Sequence, residues 1–272
     1  MNRHGLTATA YRLGTGLLAL SFVIPLAWAL VSSVSPRAGT AQTDGYGLAN
    51  YTKLFGYGAG LPLYLTNSLI ISGICVLVAL VVSATGGYAF ARYRFPFKNT
   101  LFVLVLSIMM VPYAALLIPL IVWMKDIGLS GSLIGVRLIL ALFQLPFGVF
   151  MMRNAFAALP RELEDAALID GCSAFTAFTR IMLPSVTPSL VTVGLFSYLA
   201  AWNDFMVSLY LLTMDSSPLP LALVNMRQQT IGVIDYGLTT AGVVVLTLPA
   251  LILFLALQRY YIRGMTSGAV KG

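Results

Sequence analysis

The sequence predicts an all-α, polytopic membrane protein with six transmembrane helices. Apolar residues make up 59% of the 272 positions and charged residues only 9%, where soluble domains carry roughly a quarter. Mean hydropathy is +0.90. A soluble domain of this length would need far more charge to cover its core. The apolar residues also fall into six runs, each near the roughly 20 residues that a helix needs to cross about 30 Å of hydrocarbon.

The runs lie at about 13–34, 63–91, 100–124, 133–152, 185–212 and 237–258. Arg3 and Arg12 precede the first, as in a signal peptide, but its length and the five runs behind it favour an uncleaved first helix. Six spans put both ends of the chain on one side of the bilayer. Eleven of the sixteen basic residues fall on that side: Arg3, Arg12, Arg92, Arg94, Lys98, Arg153, Arg161, Arg180, Arg259, Arg263 and Lys271. Arg37, Lys53, Lys125, Arg137 and Arg227 fall on the other. Lys and Arg accumulate in cytoplasmic loops, so the N- and C-termini are expected in the cytoplasm.

The net charge of +7 does not point to nucleic acid, because the basic residues are scattered between apolar runs and form no stripe. One histidine, His4, and two cysteines, Cys75 and Cys172, supply neither a metal constellation nor a disulfide framework. Pro112, Pro119, Pro146, Pro249, Gly86 and Gly87 interrupt the runs. Irregular packing is the plainer account of them; a kinked helix lining a pathway is the sharper one. No internal repeat supports an inverted-repeat transporter. Arg137, at the outer end of the fourth run, is expected to snorkel to the interface.

The segment 153–184 differs from the other connections. It holds four of the nine acidic residues: Glu162, Glu164, Asp165 and Asp170. Pro160 suits the first turn of a helix, and the acids after it favour the positive end of the helix dipole. Gly171 is able to end that helix in the left-handed conformation, and Ser173 to cap a second one. Leu163, Ala166 and Ala167 share a face of the first piece by helical spacing, and Phe175, Phe178, Ile181 and Met182 share one of the second. The pattern describes a helix–Gly–helix elbow, serving either as an amphipathic hairpin on the headgroups or as a docking knob.

Here the chain resembles a known family. Permease subunits of binding-protein-dependent ABC importers carry E-A-A-x(3)-G-x(9)-I-x-L-P in a cytoplasmic loop. This chain reads Asp165-Ala166-Ala167, Gly171, then Ile181-Met182-Leu183-Pro184 at the same spacing. Asp165 stands where the family usually has Glu, with Glu164 just before it. Trp202-Asn203-Asp204-Phe205, Asn67-Ser68, and the tail Gln258-Arg259-Tyr260-Tyr261 through Arg263-Gly264 to Gly268-Ala269-Val270-Lys271-Gly272 are similar to the carbohydrate branch, and to the maltose type in particular.

The resemblance implies a type I ABC importer permease fold, one permease domain over 1–272, residing in the bacterial inner membrane. It implies a second homologous permease, two ATPase subunits that bind ATP and Mg, an extracytoplasmic solute-binding protein and a sugar-like solute. The chain itself would bind no cofactor and hydrolyse nothing. It has no Walker A loop: Lys53, Lys98, Lys125 and Lys271 are followed by Leu54, Asn99, Asp126 and Gly272, never by Ser or Thr. The family's coupling role falls on Glu164, Asp165, Ala166, Ala167, Asp170, Gly171, Ile181 and Pro184. The carboxylates would offer acceptors to basic residues of the ATPase. Trp202, Asn203 and Asp204 are candidates for the translocation path, although a carboxylate in a span is as readily a hydrogen-bond anchor between helices, the reading favoured for Asp204. A secondary transporter would need intramembrane acids, for which Asp204 is the single candidate, and a scaffold would leave the loop spacing unexplained.

Overall fold

A computed structural model of the chain describes residues 3–36, 46–213, 216–229 and 235–269, without the side chains of 3–10, 227–229 and 259–269. Arg37 and the last three residues of the tail motif lie outside the described residues, as do the side chains of Arg3, Arg227, Arg259 and Arg263. The described chain is helical, with no strand. That follows from the medium: lipid offers backbone groups no hydrogen-bond partner, and a helix satisfies them within one segment.

The helices in order are α1 Arg3–Val34, α2 Ala49–Phe55, α3 Leu61–Arg92, α4 Lys98–Ser107, α5 Tyr113–Asp126, α6 Leu133–Ala158, α7 Glu162–Ile169, α8 Ala174–Ala177, α9 Leu183–Ser185, α10 Thr187–Asn203, α11 Met206–Leu211, α12 Leu219–Gln229 and α13 Tyr236–Ala269. A 3₁₀ turn at Ile108–Met110 extends α4, and a π turn at Phe178–Met182 joins α8 to α9. Four continuous helices are long and apolar enough to cross a bilayer: Tyr11–Val34, Leu61–Arg92, Leu133–Ala158 and Tyr236–Gln258. Two bent pairs bring the number to six if each is one span.

Those pairs correct two expected spans. The third, at 100–124, is not one straight helix: Lys98–Met110 and Tyr113–Asp126 meet at a 104° bend. Pro112 explains it, because proline offers no N–H and pushes the residue before it out of the helical region. Val111 is extended, at φ −83° and ψ 128°. Each arm is about 20 Å long at 1.5 Å per residue and falls short of the hydrocarbon core alone. The fifth, at 185–212, is replaced by Ala174–Ser185 and Thr187–Asn203 with a 78° bend between them, flanked by Pro184 and Pro188. Its far end stops at Asn203, where Asp204 turns extended at ψ 131°. The fourth runs past its expected end, so residues 153–158 belong to α6 rather than to the loop.

The chain falls into two compact units, Met1–Pro62 with Ala222–Pro249 and Leu63–Leu221 with Ala250–Gly272. In the first, the buried Asn50 amide donates to the Ser33 and Ser35 carbonyls at 2.9 and 3.1 Å, joining α2 to the end of α1. In the second, α3, α6 and α10 carry two apolar clusters. One, with Ile71, Val136, Ile139 and Leu211, includes residues of α5 and α11. The other, with Tyr88, Met152, Phe156 and Phe178, lies at the elbow. Arg137 is half-buried; its Nε is out of contact with solvent and makes no hydrogen bond to the described residues.

Asn67 and Ser68 act as a clamp on a distant segment. The Asn67 amide donates to the carbonyls of Ser216 and Ser217 at 3.1 and 3.2 Å, and the Ser68 hydroxyl accepts from the Leu219 N–H at 2.8 Å. Asn67→Ala is expected to strand both carbonyls, at about 1–3 kcal/mol for a buried polar group left unpaired. Thermal unfolding in detergent checks it; an unchanged midpoint would show that the clamp is dispensable.

Candidate coupling site

The elbow is built by local rules. Past Ala158 the chain is extended at Leu159, ψ 140°, as the proline behind it requires. Pro160 precedes the cap residue Arg161 rather than sitting in the first turn, two positions before the first helical residue, Glu162. The Arg161 carbonyl accepts from the N–H groups of Glu164 and Asp165 at 3.0 and 3.1 Å. Glu162, Glu164 and Asp165 occupy the first turn of α7, as expected. Gly171 ends the helix at φ +84°. The Cys172 N–H bonds the Ala167 carbonyl at 3.0 Å and the Gly171 N–H bonds that of Leu168 at 3.1 Å, the paired closure of a Schellman motif. The Ser173 hydroxyl then accepts from the Thr176 N–H at 3.2 Å and caps α8.

The faces divide differently from the spacing argument. Ala167 is buried and Ala166, one residue earlier, is exposed, so the two alanines do not share an environment. Phe178 and Met182 are buried and Ile181 half-buried, while Phe175 is 74% exposed. Ile169 is 85% exposed, with Leu168 and Leu163 also open. Asp165, Asp170 and Pro184 are exposed. The elbow therefore presents an apolar tip rimmed by carboxylates.

Glu164 is engaged inside the chain. Its carboxylate accepts from the Tyr88 hydroxyl and pairs with Arg92 Nε at 3.2 Å. Tyr88 and Arg92 sit in the last turns of α3, more than 70 residues away in sequence. Nothing in the spacing of the loop pointed to them; the one available signal was an arginine closing a long apolar helix.

The second candidate group lies where α10 breaks. Trp202 is fully buried and stacks on Tyr198, with centroids 5.4 Å apart and planes at 14°. Asn203 is exposed and donates to the Leu199 carbonyl of its own helix at 2.8 Å. Asp204 accepts from the Tyr113 hydroxyl at 2.6 Å and from the Val207 N–H at 3.1 Å. It thus caps α11 and ties it to the first residue of α5, directly after the Pro112 break. This geometry agrees with the anchor between helices.

Residues 82–267 match the family described as binding-protein-dependent transport system inner membrane component. The chain is similar to the osmoprotective compounds uptake permease protein GgtD of Synechocystis sp., 31% identical over 94% of this chain and 90% of that one. It is also similar to the arabinooligosaccharides transport system permease protein AraQ of Bacillus subtilis, 33% identical over the whole of both. Among solved structures, its fold resembles a chain of a bacterial ABC transporter involved in the import of the acidic polysaccharide alginate. The TM-score is 0.82 at 19% identity, covering 96% of this chain and 99% of that one.

Proposed function

The chain belongs to the family of binding-protein-dependent transport system inner membrane components, and from that premise we propose that it is the permease subunit of an ATP-driven importer of a sugar or sugar-like solute. The sugar class is supported by the name of the Bacillus subtilis relative and by the Trp202–Phe205 and tail elements of the sequence. In this reading the chain pairs with a second homologous permease. Two ATPase subunits bind ATP and Mg and do the hydrolysis, and an extracytoplasmic binding protein delivers the solute. In this reading the termini are cytoplasmic, which the Lys and Arg asymmetry supports, and α7 projects into the cytoplasm.

The observation that carries the reading is the elbow: a rigid eight-residue helix closed by Gly171, with Ile169 and Phe175 bare at its tip. Burying that tip in a cleft of the ATPase gains about 25 cal/mol per Å² of apolar surface. Exposed ion pairs from Asp165 and Asp170 add only about 0–1 kcal/mol each, so shape outweighs charge in holding the dock. Closure of the ATPase pair then moves α7, and the attached spans switch the side to which the cavity opens.

Purification of the tagged chain from its native membrane in a gentle detergent tests this. An ATPase and a second permease are expected in the eluate, with ATP hydrolysis measurable there. A chain that elutes alone, while other complexes in the same extract stay intact, would overturn the reading.

A further inference from the structure

We propose that Glu164, Tyr88 and Arg92 form a latch that makes the C-terminal end of α3 travel with α7. The proposal rests on the coupling reading above and names positioning residues for it that lie outside the loop motif.

A push on α7 reaches the spans through its chain connections, at Leu159–Arg161 and at the Gly171 turn, and through its packing on the π turn, where Ala167 is buried. The latch adds a direct polar tie from α7 to α3. Glu164, on the first turn of α7, receives the Tyr88 hydroxyl and faces Arg92 Nε at 3.2 Å. Arg92 Nη2 also donates to the carbonyls of Leu159 and Pro160 at 3.0 and 3.4 Å. Those carbonyls follow the last turn of α6, where the intrahelical partners have run out. One guanidinium therefore joins the end of α3, the exit of α6 and the start of α7.

The surroundings hold these groups in place. The Arg92 and Glu164 side chains are only 7% and 18% exposed, so water competes weakly for them and the local dielectric is low. The Tyr88 ring is fixed by Phe178, Phe156 and Tyr93, with centroids at 4.7, 5.3 and 5.7 Å, which aims its hydroxyl at α7. One residue further along α7, Asp165 is exposed. A helix turns about 100° per residue, so two adjacent acids take opposite duties: Glu164 toward α3, Asp165 toward the docking partner.

The test uses the complete importer in lipid nanodiscs, with ATP and vanadate as the probe. Spin labels go on Leu77 of α3 and Glu162 of α7, both exposed and both outside the docking residues. With the latch intact, the label-to-label distance is expected to be the same in the nucleotide-free and vanadate-trapped complexes. In Glu164→Gln the distance is expected to broaden and lengthen on trapping, while ATP hydrolysis persists. Tyr88→Phe should do the same more weakly, and the double variant should be worse than Glu164→Gln alone, because glutamine keeps an acceptor for the Tyr88 hydroxyl that phenylalanine then removes. Val193→Ala, which loosens the same apolar cluster without touching the latch, should lower thermal stability and leave the distance unchanged. A distance that stays constant in Glu164→Gln, or that already changes in the unaltered chain, would overturn the latch. Loss of the ATPase from the unaltered, unlabelled chain would instead overturn the importer reading.

Discussion

Valine at position 171 will strip the ATPase from the permease while leaving the membrane helices folded. Gly171 sits at φ +84°, and a Cβ built there meets no atom within 4 Å. Sterics against the rest of the molecule are therefore not the issue; the backbone conformation is. An ordinary L-residue in the left-handed region costs about 1–2 kcal/mol, and a β-branched one more, since its branch crowds the backbone. About 1.4 kcal/mol is tenfold in an equilibrium. Gly171→Val should thus cut the co-purified ATPase by roughly tenfold or more, because α7 can no longer close on its Schellman turn. Asparagine tolerates the left-handed region, so Gly171→Asn should retain most of the ATPase. Circular dichroism on both variants separates a lost dock from a lost fold. Valine and asparagine behaving alike would show that the left-handed turn is not what the dock needs.

A side chain at Gly87 should do the opposite, damaging the fold before any dock. A Cβ there would lie 2.5 Å from Met152 Cβ, 2.8 Å from the Arg153 nitrogen and 2.9 Å from the Met152 carbonyl carbon. Two of those atoms are backbone and cannot rotate aside, so even alanine must drive α3 away from α6. At Gly86 the same addition meets only Val149 Cγ2, at 3.6 Å. Gly86→Ala should therefore be neutral. Gly87→Ala should lose about 1–3 kcal/mol, the usual cost of overpacking, and Gly87→Leu should fail to accumulate in the membrane. Thermal unfolding of the detergent-purified chain distinguishes the neighbours. Equal midpoints for the two alanine variants would mean that α3 and α6 are free to separate.

The pair of glycines shows where reading the sequence stops. Both appear as breaks in an apolar run, and packing irregularity was the plainer account of either. Close helix approach through small residues is a common device in lipid, where burial of apolar surface does not drive helices together. Which of two adjacent glycines makes the approach depends on the rotation of α3 against α6, and that is set by contacts more than 60 residues apart in sequence. The broken third span is an intermediate case. Pro112 announced an interruption, but not that α4 and α5 would meet at 104°, since a proline removes one hydrogen bond without choosing the new direction.

The properties legible along the chain were those with a local cause. Apolar runs of bilayer length become helices because lipid leaves the backbone no other partner. Ser173 and Gly171 cap and stop their helices because one hydroxyl and one missing Cβ act within a turn of the chain. The loop motif from Asp165 to Pro184 carries the resemblance to the family. What the folded chain added was orientation. Glu164 and Asp165 are adjacent and chemically alike, yet one is held by Tyr88 and Arg92 and the other is exposed. Asp204 became an anchor only because Tyr113, 91 residues away, lies within hydrogen-bond reach. Periodicity settles the angle between two side chains on one helix; long-range packing settles which of them meets a partner.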